Sequence, residues 1–326
     1  MTVAVIGAGL AGLACARVLQ EQGDVVSVFD KGRGPGGRLS TSRGPGWQGD
    51  MGAQYFTVRD PDFQQELRRW IAAGVAAEWQ PRLVWLDGSG RMPVDDDTPR
   101  YVGAPRMGAI SRYLADGLDL RLGQRVGQLQ PTDKGIRLGA ADGRSLGCFR
   151  QIVLAVPAPQ AVELLAQPAP ELAARAAQAR MRGCWTLIIE LESGDPLPFD
   201  AAFVREPPLS WVARDGSKPG RAGETWVVHA DAGWSQSQLE AQPADVEASL
   251  LTAFRRLTGV SGELQIHRTH RWRYASTADS LDAPYLLDAK AGIAVCGDWC
   301  LGNRVEAAWL SGRALAAALR RGGVSA

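Results

Sequence analysis

The chain has 326 residues, 36 basic and 35 acidic side chains, a formal net charge of +1 and 45% hydrophobic residues. That length predicts two lobes, not one compact core, and the balanced, interspersed charge leaves no footprint for nucleic acid or an anionic membrane. No apolar run approaches a membrane span, no charged leader precedes the first glycines, and the five scattered cysteines (Cys15, Cys148, Cys184, Cys296, Cys300) predict no disulfide framework. The expectation is a cytoplasmic protein without a signal peptide.

The first element is a strand over Val3 to Ile6, which enters Gly7-Ala8-Gly9-Leu10-Ala11-Gly12. An alanine-rich helix pattern follows, then a second strand from Val25 to Phe29 ending at Asp30, 18 residues beyond Gly12. This is a G-x-G-x-x-G turn between strand and helix with an acid in register, a pattern that points to a dinucleotide. Gly7 permits the tight turn, Gly9 lets a pyrophosphate approach the backbone, and Gly12 lets helix and strand pack closely. The helix N-terminus offers unpaired N–H groups to phosphate, and Asp30 offers an acceptor to a ribose hydroxyl. The alternative is a glycine-rich turn in some other α/β protein. Lys31-Gly32-Arg33-Gly34-Pro35-Gly36-Gly37-Arg38 comes next. An acid, a short spacer and Gly-Gly-Arg resemble flavoproteins of the amine oxidase type more than NAD-dependent dehydrogenases. Gly36 and Gly37 keep the backbone thin, and the planar Arg38 fork suits phosphate or flavin oxygens.

Further along, Met107, Ile110 and Leu114 share a helical face. Strands are expected over 119–129, 135–139 and 151–156, the last stopped by Pro157-Ala158-Pro159. From there the texture changes. Segments 184–192, 201–205, 209–214 and 225–230 read as antiparallel strands joined by turns such as Gly194-Asp195-Pro196. A helix is expected over 245–257, a short buried strand from Gly292 to Cys296, and a last helix over about 304–320 with Val305, Trp309, Gly312 and Leu319 on one face. Gly297 allows close approach of a flavin, Asp298 a bond to a ribityl hydroxyl, and the helix start at Val305 and Glu306 aims N–H groups at the flavin pyrimidine. The predicted fold class is α/β: a Rossmann-like FAD-binding domain with an inserted, mainly antiparallel β substrate domain. The predicted division is 1–60, 100–160 and 285–326 for the first, and 61–99 and 161–284 for the second.

Several blocks together resemble the bacterial renalase-like flavoproteins of the flavin-containing amine oxidase superfamily. These are residues 3–12, Gly36-Gly37-Arg38, Asp50-Met51-Gly52-Ala53-Gln54-Tyr55-Phe56-Thr57, Arg100-Tyr101-Val102-Gly103 with Met107, Val153 to Pro157, and Cys296-Gly297-Asp298-Trp299. The likeness runs nearly the whole length. It implies a p-hydroxybenzoate-hydroxylase-like fold and non-covalent FAD. Its implied FAD contacts are Ala11, Asp30, Lys31, Arg38, Gln54, Tyr55, Phe56, Thr57, Arg100, Val126 at the adenine edge, Asp298 and Val305. It also implies oxidation of dihydronicotinamide dinucleotides whose hydride sits on ring carbon 2 or 6, giving β-NAD(P)+, with oxygen reduced to hydrogen peroxide. Hydride transfer to a flavin needs a stacked geometry and no side-chain base, and eleven tryptophans are available to build an aromatic cavity.

The chain departs from ordinary amine oxidases. It has no Ser-Gly-Gly-Cys-Tyr for covalent flavin attachment, and Trp185 and Thr186 stand where many such enzymes place a lysine. Candidate substrate residues are His229, expected to face the flavin and orient the nicotinamide amide, Thr186, and the Trp272-Arg273 pair. Each has a plain structural alternative as strand packing or a satisfied core group. His267 and His270 lie three apart on a strand-like segment, which puts them on opposite faces and discounts a metal. Asp95-Asp96-Asp97 reads as a solvated loop. An amine or amino-acid oxidase would share every FAD motif, and a non-catalytic FAD-binding scaffold also remains open.

Overall fold

The computed structural model describes residues 1–192 and 196–322, so the turn expected at Gly194-Asp195-Pro196 lies largely outside the described residues. A six-stranded sheet runs in the order Leu286–Asp288, Ile293–Val295, Gln151–Leu154, Thr2–Ile6, Val25–Phe29, Asp119–Arg121. Its neighbours are parallel except for the antiparallel edge strand Leu286–Asp288. Alternate residues of the central strands enter two cores. Val3, Val5, Val26, Val28 and Val153 face the helices Leu10–Glu21 and Val305–Gly322, whereas Ala4, Ile6, Phe29, Ile152 and Leu154 face the other side. Burial on both faces explains why these strands are apolar throughout instead of alternating. The other side is covered by the helices Ala158–Leu165 and Pro170–Ala176 and by a three-stranded meander (Val126–Thr132, Gly135–Ala140, Ser145–Phe149).

The two helices that bracket the chain meet at a glycine. A Cβ on Gly312 would stand 2.2 Å from the Ala11 carbonyl oxygen, so only glycine allows this approach. Trp309 and Leu319 share the buried side of the terminal helix, as their spacing predicts. The run expected as one strand over 119–129 is instead two strands, Asp119–Arg121 and Val126–Thr132. Gly123 breaks it with φ +67, and Gly123 and Gln124 donate their N–H groups to the Gly32 and Asp30 carbonyls. The chain there lies along the loop that follows Asp30.

A seven-stranded sheet runs Leu264–Asp279, Arg180–Leu191, Thr225–Ala230, Leu209–Arg214, Ala201–Val204, Leu83–Asp87, Gly90–Pro93. It is antiparallel except where Ala201–Val204 runs parallel to Leu83–Asp87. One face (Leu187, Ile189, Val212, Trp226, Val228) packs on Val246, Leu250 and Phe254 of the helix Pro243–Thr258. The opposite face carries a cross-strand row fixed by the register: Trp85, Phe203, Trp211, His229, Thr186, His270. Paired residues share a face of the pleat, so this row presents one aromatic and polar wall. Against the same face stands the hairpin of Thr41–Gly44 and Trp47–Asp50; a Cβ on Gly49 would meet Ile188 at 3.0 Å and Val227 at 3.2 Å. A further helix, Pro61–Ala72, is capped by Asp60, which accepts from the Asp62 and Phe63 N–H groups, and is opened by Pro61.

Candidate active site

The first part of the site is the glycine turn. Gly7 has φ +113, and its Cβ would stand 2.4 Å from the Ala155 carbonyl oxygen; a Cβ on Gly12 would stand 2.0 Å from the Gly7 oxygen. Gly9 has an ordinary extended backbone (φ −78, ψ 176), and a Cβ there would meet nothing within 4 Å. Its glycine therefore serves whatever approaches from outside the protein. No side chain caps the helix that starts at Leu10, which leaves its first N–H groups for an anion. Asp30 holds the turn together, its two oxygens accepting from the Ala8 N–H (2.7 Å) and the Gly32 N–H (2.6 Å). Each oxygen keeps a lone pair for a ribose hydroxyl. Gly36 donates to the Ala8 carbonyl, Gly37 packs on Gly9, and Lys31 is exposed.

The second part joins the ends of the chain. Arg38 grips Asp298 as a fork, with Nη1 on Oδ2 at 2.7 Å and Nη2 on Oδ1, and Nη1 also reaches the Ala275 carbonyl at 3.2 Å. Gly297 ends the Ile293–Val295 strand and receives the Ser311 hydroxyl on its N–H side, where Gly297 donates at 2.9 Å. Val305 is half-buried at the start of the last helix, and Val126 is buried at the start of its strand.

Other residues expected to meet the cofactor have their side chains committed inside the protein. Gln54 is buried, with its amide donating to the Asp50 and Gly52 carbonyls and accepting from Lys218. Phe56 packs among Phe63, Trp70 and Tyr101. The Glu306 carboxylate accepts from the Arg59 and Asp60 N–H groups at 2.7 and 2.8 Å. Arg100 binds Asp96 and the Thr98 carbonyl and lies 5.5 Å from the Tyr55 ring centre; Asp95–Asp97 is the exposed loop expected, with Asp96 its link to Arg100. Tyr55 itself packs on Trp79 and Trp211, and burial raises its phenol pKa against the lowering effect of Arg100. Thr57 is half-buried.

Three of the four candidate substrate residues converge on one atom. The Met51 carbonyl oxygen accepts from Thr186 Oγ1 at 3.1 Å, His229 Nε2 at 2.9 Å and Trp272 Nε1 at 3.2 Å. Burial drives the His229 pKa down to about 4; the Met51 carbonyl opposes this in part, and the Lys218 charge adds to it. His270 packs edge-on to Trp272 at 4.4 Å, and burial and Arg268 lower its pKa. Arg273 does not join this group. Successive residues of a strand face opposite sides, and Arg273 is exposed on the far side, where its guanidinium pairs with Glu240 (Nη2 to Oε2, 3.0 Å).

Two family models match, a "NAD(P)-binding Rossmann-like domain" over residues 5–72 and "Flavin containing amine oxidoreductase" over residues 86–320. The chain belongs to the flavin-containing amine oxidoreductase family. Similar curated proteins include an L-amino-acid oxidase of Siganus canaliculatus, 35% identical over 84 residues (25% of this chain, 15% of that protein). A 4,4'-diapophytoene desaturase of Staphylococcus aureus is 44% identical over 60 residues (18% of this chain, 12% of that protein). The chain thus matches only about an eighth of the length of these relatives. Solved structures similar in fold include a putative protoporphyrinogen oxidase from Exiguobacterium sp. 255-15, with TM-score 0.77, 12% identity and 98% of both chains covered. An oxidoreductase from Methanosarcina mazei has TM-score 0.71 and 15% identity, over 97% of this chain and 99% of that one.

Membership of the flavin amine oxidase family implies a flavin, and the cradle fits one: an open backbone at Gly9, uncapped helical N–H groups, and acidic side chains at Asp30 and Asp298. Sequence reasoning missed what holds the cradle against the sheet. Asp50, Asp215, Lys218 and Arg221 form a fully buried quartet of two acids and two bases. Lys218 Nζ lies 3.2 Å from Asp50 and 3.0 Å from Asp215, and Arg221 Nη1 lies 2.6 Å from Asp50 and 2.7 Å from Asp215. Thr41 and the Met107 N–H also donate to Asp50. Burial pushes the Asp50 carboxyl up, but Lys218, Arg221 and Thr41 outweigh it and hold it below the usual range. The signal in the sequence was Asp215 to Arg221, a charged loop between two apolar strands. Among the described residues no helix is long and apolar enough to cross a membrane, and no cluster of metal-ligating side chains occurs.

Proposed function

We propose that this flavoenzyme oxidises the 2- and 6-dihydro isomers of NAD(P)H to β-NAD(P)+, using non-covalently held FAD in a cytoplasmic setting. The bound flavin supplies the hydride acceptor and returns the electrons to oxygen as hydrogen peroxide. The protein's part is to bind and orient the donor ring. The observation that carries this reading is the neutral wall around Met51. Its members are a hydroxyl, an indole and an imidazole that stays uncharged at neutral pH, all pointing at one carbonyl. The acids of the adjoining quartet, Asp50 and Asp215, are consumed by Lys218 and Arg221. A cationic amine finds no free carboxylate among these groups, whereas a flat uncharged ring finds aromatic surface and hydrogen-bond acceptors.

In this reading Gly7, Gly9, Ala11 and Gly12 bring backbone to the pyrophosphate. Asp30 and Asp298 take sugar and ribityl hydroxyls, and Arg38, Gly37 and the 54–57 backbone border the ring system. His229 and Trp272 line the substrate side, with Thr186 buried behind them; Arg273 is left out. The domain division remains the one proposed from sequence. The deciding experiment is anaerobic stopped-flow reduction of the purified holoenzyme. The reading expects flavin bleaching by 2- or 6-dihydro-NAD(P) and none by primary amines or amino acids. Bleaching by amines alone would replace it with an amine oxidase, and bleaching by neither with a non-catalytic flavoprotein.

A further inference from the structure

The hydrogen-bond polarity at Met51 constrains what the wall can recognise. A main-chain carbonyl only accepts, so each of its three partners must donate to it. The indole N–H of Trp272 is its sole polar group and is spent there. Thr186 is fully buried, and its single hydroxyl hydrogen is spent on the same oxygen. For His229 the consequence is sharper. Nε2 faces the carbonyl at 2.9 Å, so the ring hydrogen sits on Nε2. A neutral imidazole protonated on Nε2 carries a lone pair on Nδ1. Among the described residues Nδ1 has no protein partner, and His229 keeps partial exposure. Its neighbours in the row, Trp211 and Thr186, add no free carboxylate or cation.

We propose that Nδ1 of His229 is a hydrogen-bond acceptor that reads the carboxamide N–H of the bound nicotinamide ring, so that the enzyme selects nicotinamide dinucleotides over their nicotinic acid counterparts. This rests on the reading that a dihydronicotinamide binds against the wall. The carboxamide and carboxylate are nearly the same shape, so apolar contacts discriminate poorly between them. They differ in hydrogen-bonding sense: the amide nitrogen donates, whereas the ionised acid only accepts. An acid placed at Nδ1 sets lone pair against lone pair, with the Met51 carbonyl behind, and gains nothing for the water it loses. Sites that pair with a specific N–H or O–H reject analogues lacking it far more strongly than apolar pockets reject a missing methylene.

Two measurements test this. The first needs no substrate. Long-range nitrogen–proton correlation spectra of the histidine-labelled holoenzyme at pH 7 should show His229 protonated at Nε2 and bare at Nδ1. A hydrogen on Nδ1, or a doubly protonated ring, overturns the proposal. The second compares anaerobic flavin reduction by 6-dihydro-NAD and by 6-dihydro nicotinic acid adenine dinucleotide. The wild-type enzyme should prefer the amide by roughly 100-fold or more. His229→Gln keeps a donor near the Nε2 position and carries its only acceptor, the amide Oε1, away from the Nδ1 position, so the preference should fall below about tenfold. Equal rates with the wild type, or an undiminished preference in the variant, overturn the proposal. If neither dinucleotide reduces the flavin, the oxidase reading fails on its own. Oxidised NAD and its nicotinic acid analogue, titrated by the change in flavin absorbance, then decide: preference for the amide that His229→Gln abolishes supports the proposal, and no preference overturns it.

Discussion

The His229 environment predicts a specific dependence of stability on pH. Its folded pKa is about 4 against an ordinary 6.5. Below pH 6.5 the unfolded chain takes up a proton that the folded ring does not accept until about pH 4. Protons bound only by the unfolded state favour unfolding, so stability is lost as the pH falls through this window. Each pH unit is worth about 1.4 kcal/mol for one group, so the loss is about 2 kcal/mol between pH 6.5 and 5 and about 3 kcal/mol over the whole window. His270, whose pKa is also lowered, adds loss of the same sign. The measurement is urea unfolding of the FAD-saturated holoenzyme between pH 7.5 and 5 for wild type and His229→Gln. That range stays above the titration of the depressed carboxylates. The variant should show a slope shallower by the His229 share, whatever its absolute stability. Because the chain holds three histidines, imidazole carbon resonances offer a direct check, with one of three titrating near 4 and vanishing in the variant. Equal slopes, or three rings titrating near 6.5, would refute the reasoning.

Other outcomes follow from the cradle and the quartet. Gly9→Ala meets no protein atom, so the apoprotein should keep its thermal midpoint while FAD affinity drops; an unchanged dissociation constant would show that nothing approaches Gly9. Gly312→Ala drives a Cβ into the Ala11 carbonyl and should cost about 1–3 kcal/mol or more in urea unfolding, with wild-type stability as the contrary result. Asp298→Ala should leave the fold intact by circular dichroism and weaken FAD retention by about 10- to 100-fold, the worth of one or two charge-assisted hydrogen bonds; full flavin occupancy after dialysis would refute that role. Lys218→Met strands two buried carboxylates on one arginine and should destabilise the protein by about 3–5 kcal/mol. A neutral effect there would mean that the acids readily take up protons.

What was legible in the sequence was whatever local chemistry determines. The turn from Gly7 to Gly12, the acid at Asp30 and the Gly297-Asp298 step are read from neighbours in the chain, because backbone sterics decide them. Thr186, His229 and Trp272 were singled out without a reason to meet. Their common partner is a main-chain oxygen, which no residue type at position 51 announces. Gln54, Phe56, Arg100 and Glu306 stand out by position, but the partners of their side chains do not: Lys218 for Gln54, Tyr101 for Phe56, the nearby Asp96 for Arg100 and the Arg59 and Asp60 N–H groups for Glu306. The placing of Arg273 was within reach. Alternation along a strand sets it opposite Trp272, and a motif that treats the two as a pair hides that.

The quartet poses an energetic question that its position answers. Burying four charges costs more desolvation than well-packed apolar side chains would, and such a network is weak grounds for stability. Its geometry is another matter. Asp50 is fixed by Lys218, Arg221, Thr41 and the Met107 N–H. On the other side, a Cβ on Gly52 would stand 2.1 Å from the Arg38 carbonyl oxygen, and Ala53 donates to that same oxygen at 3.0 Å. Residues 50–53 are therefore pinned between the short 3-10 turn Gly37–Leu39, whose Arg38 holds Asp298, and the sheet face that bears His229. An apolar replacement of equal volume would fill the space without fixing the direction of the Met51 carbonyl. That direction is what orients three donors at once, selects the tautomer of His229 and leaves Nδ1 as an acceptor. Directional charge contacts are thus the means by which the flavin cradle and the substrate wall are held in register.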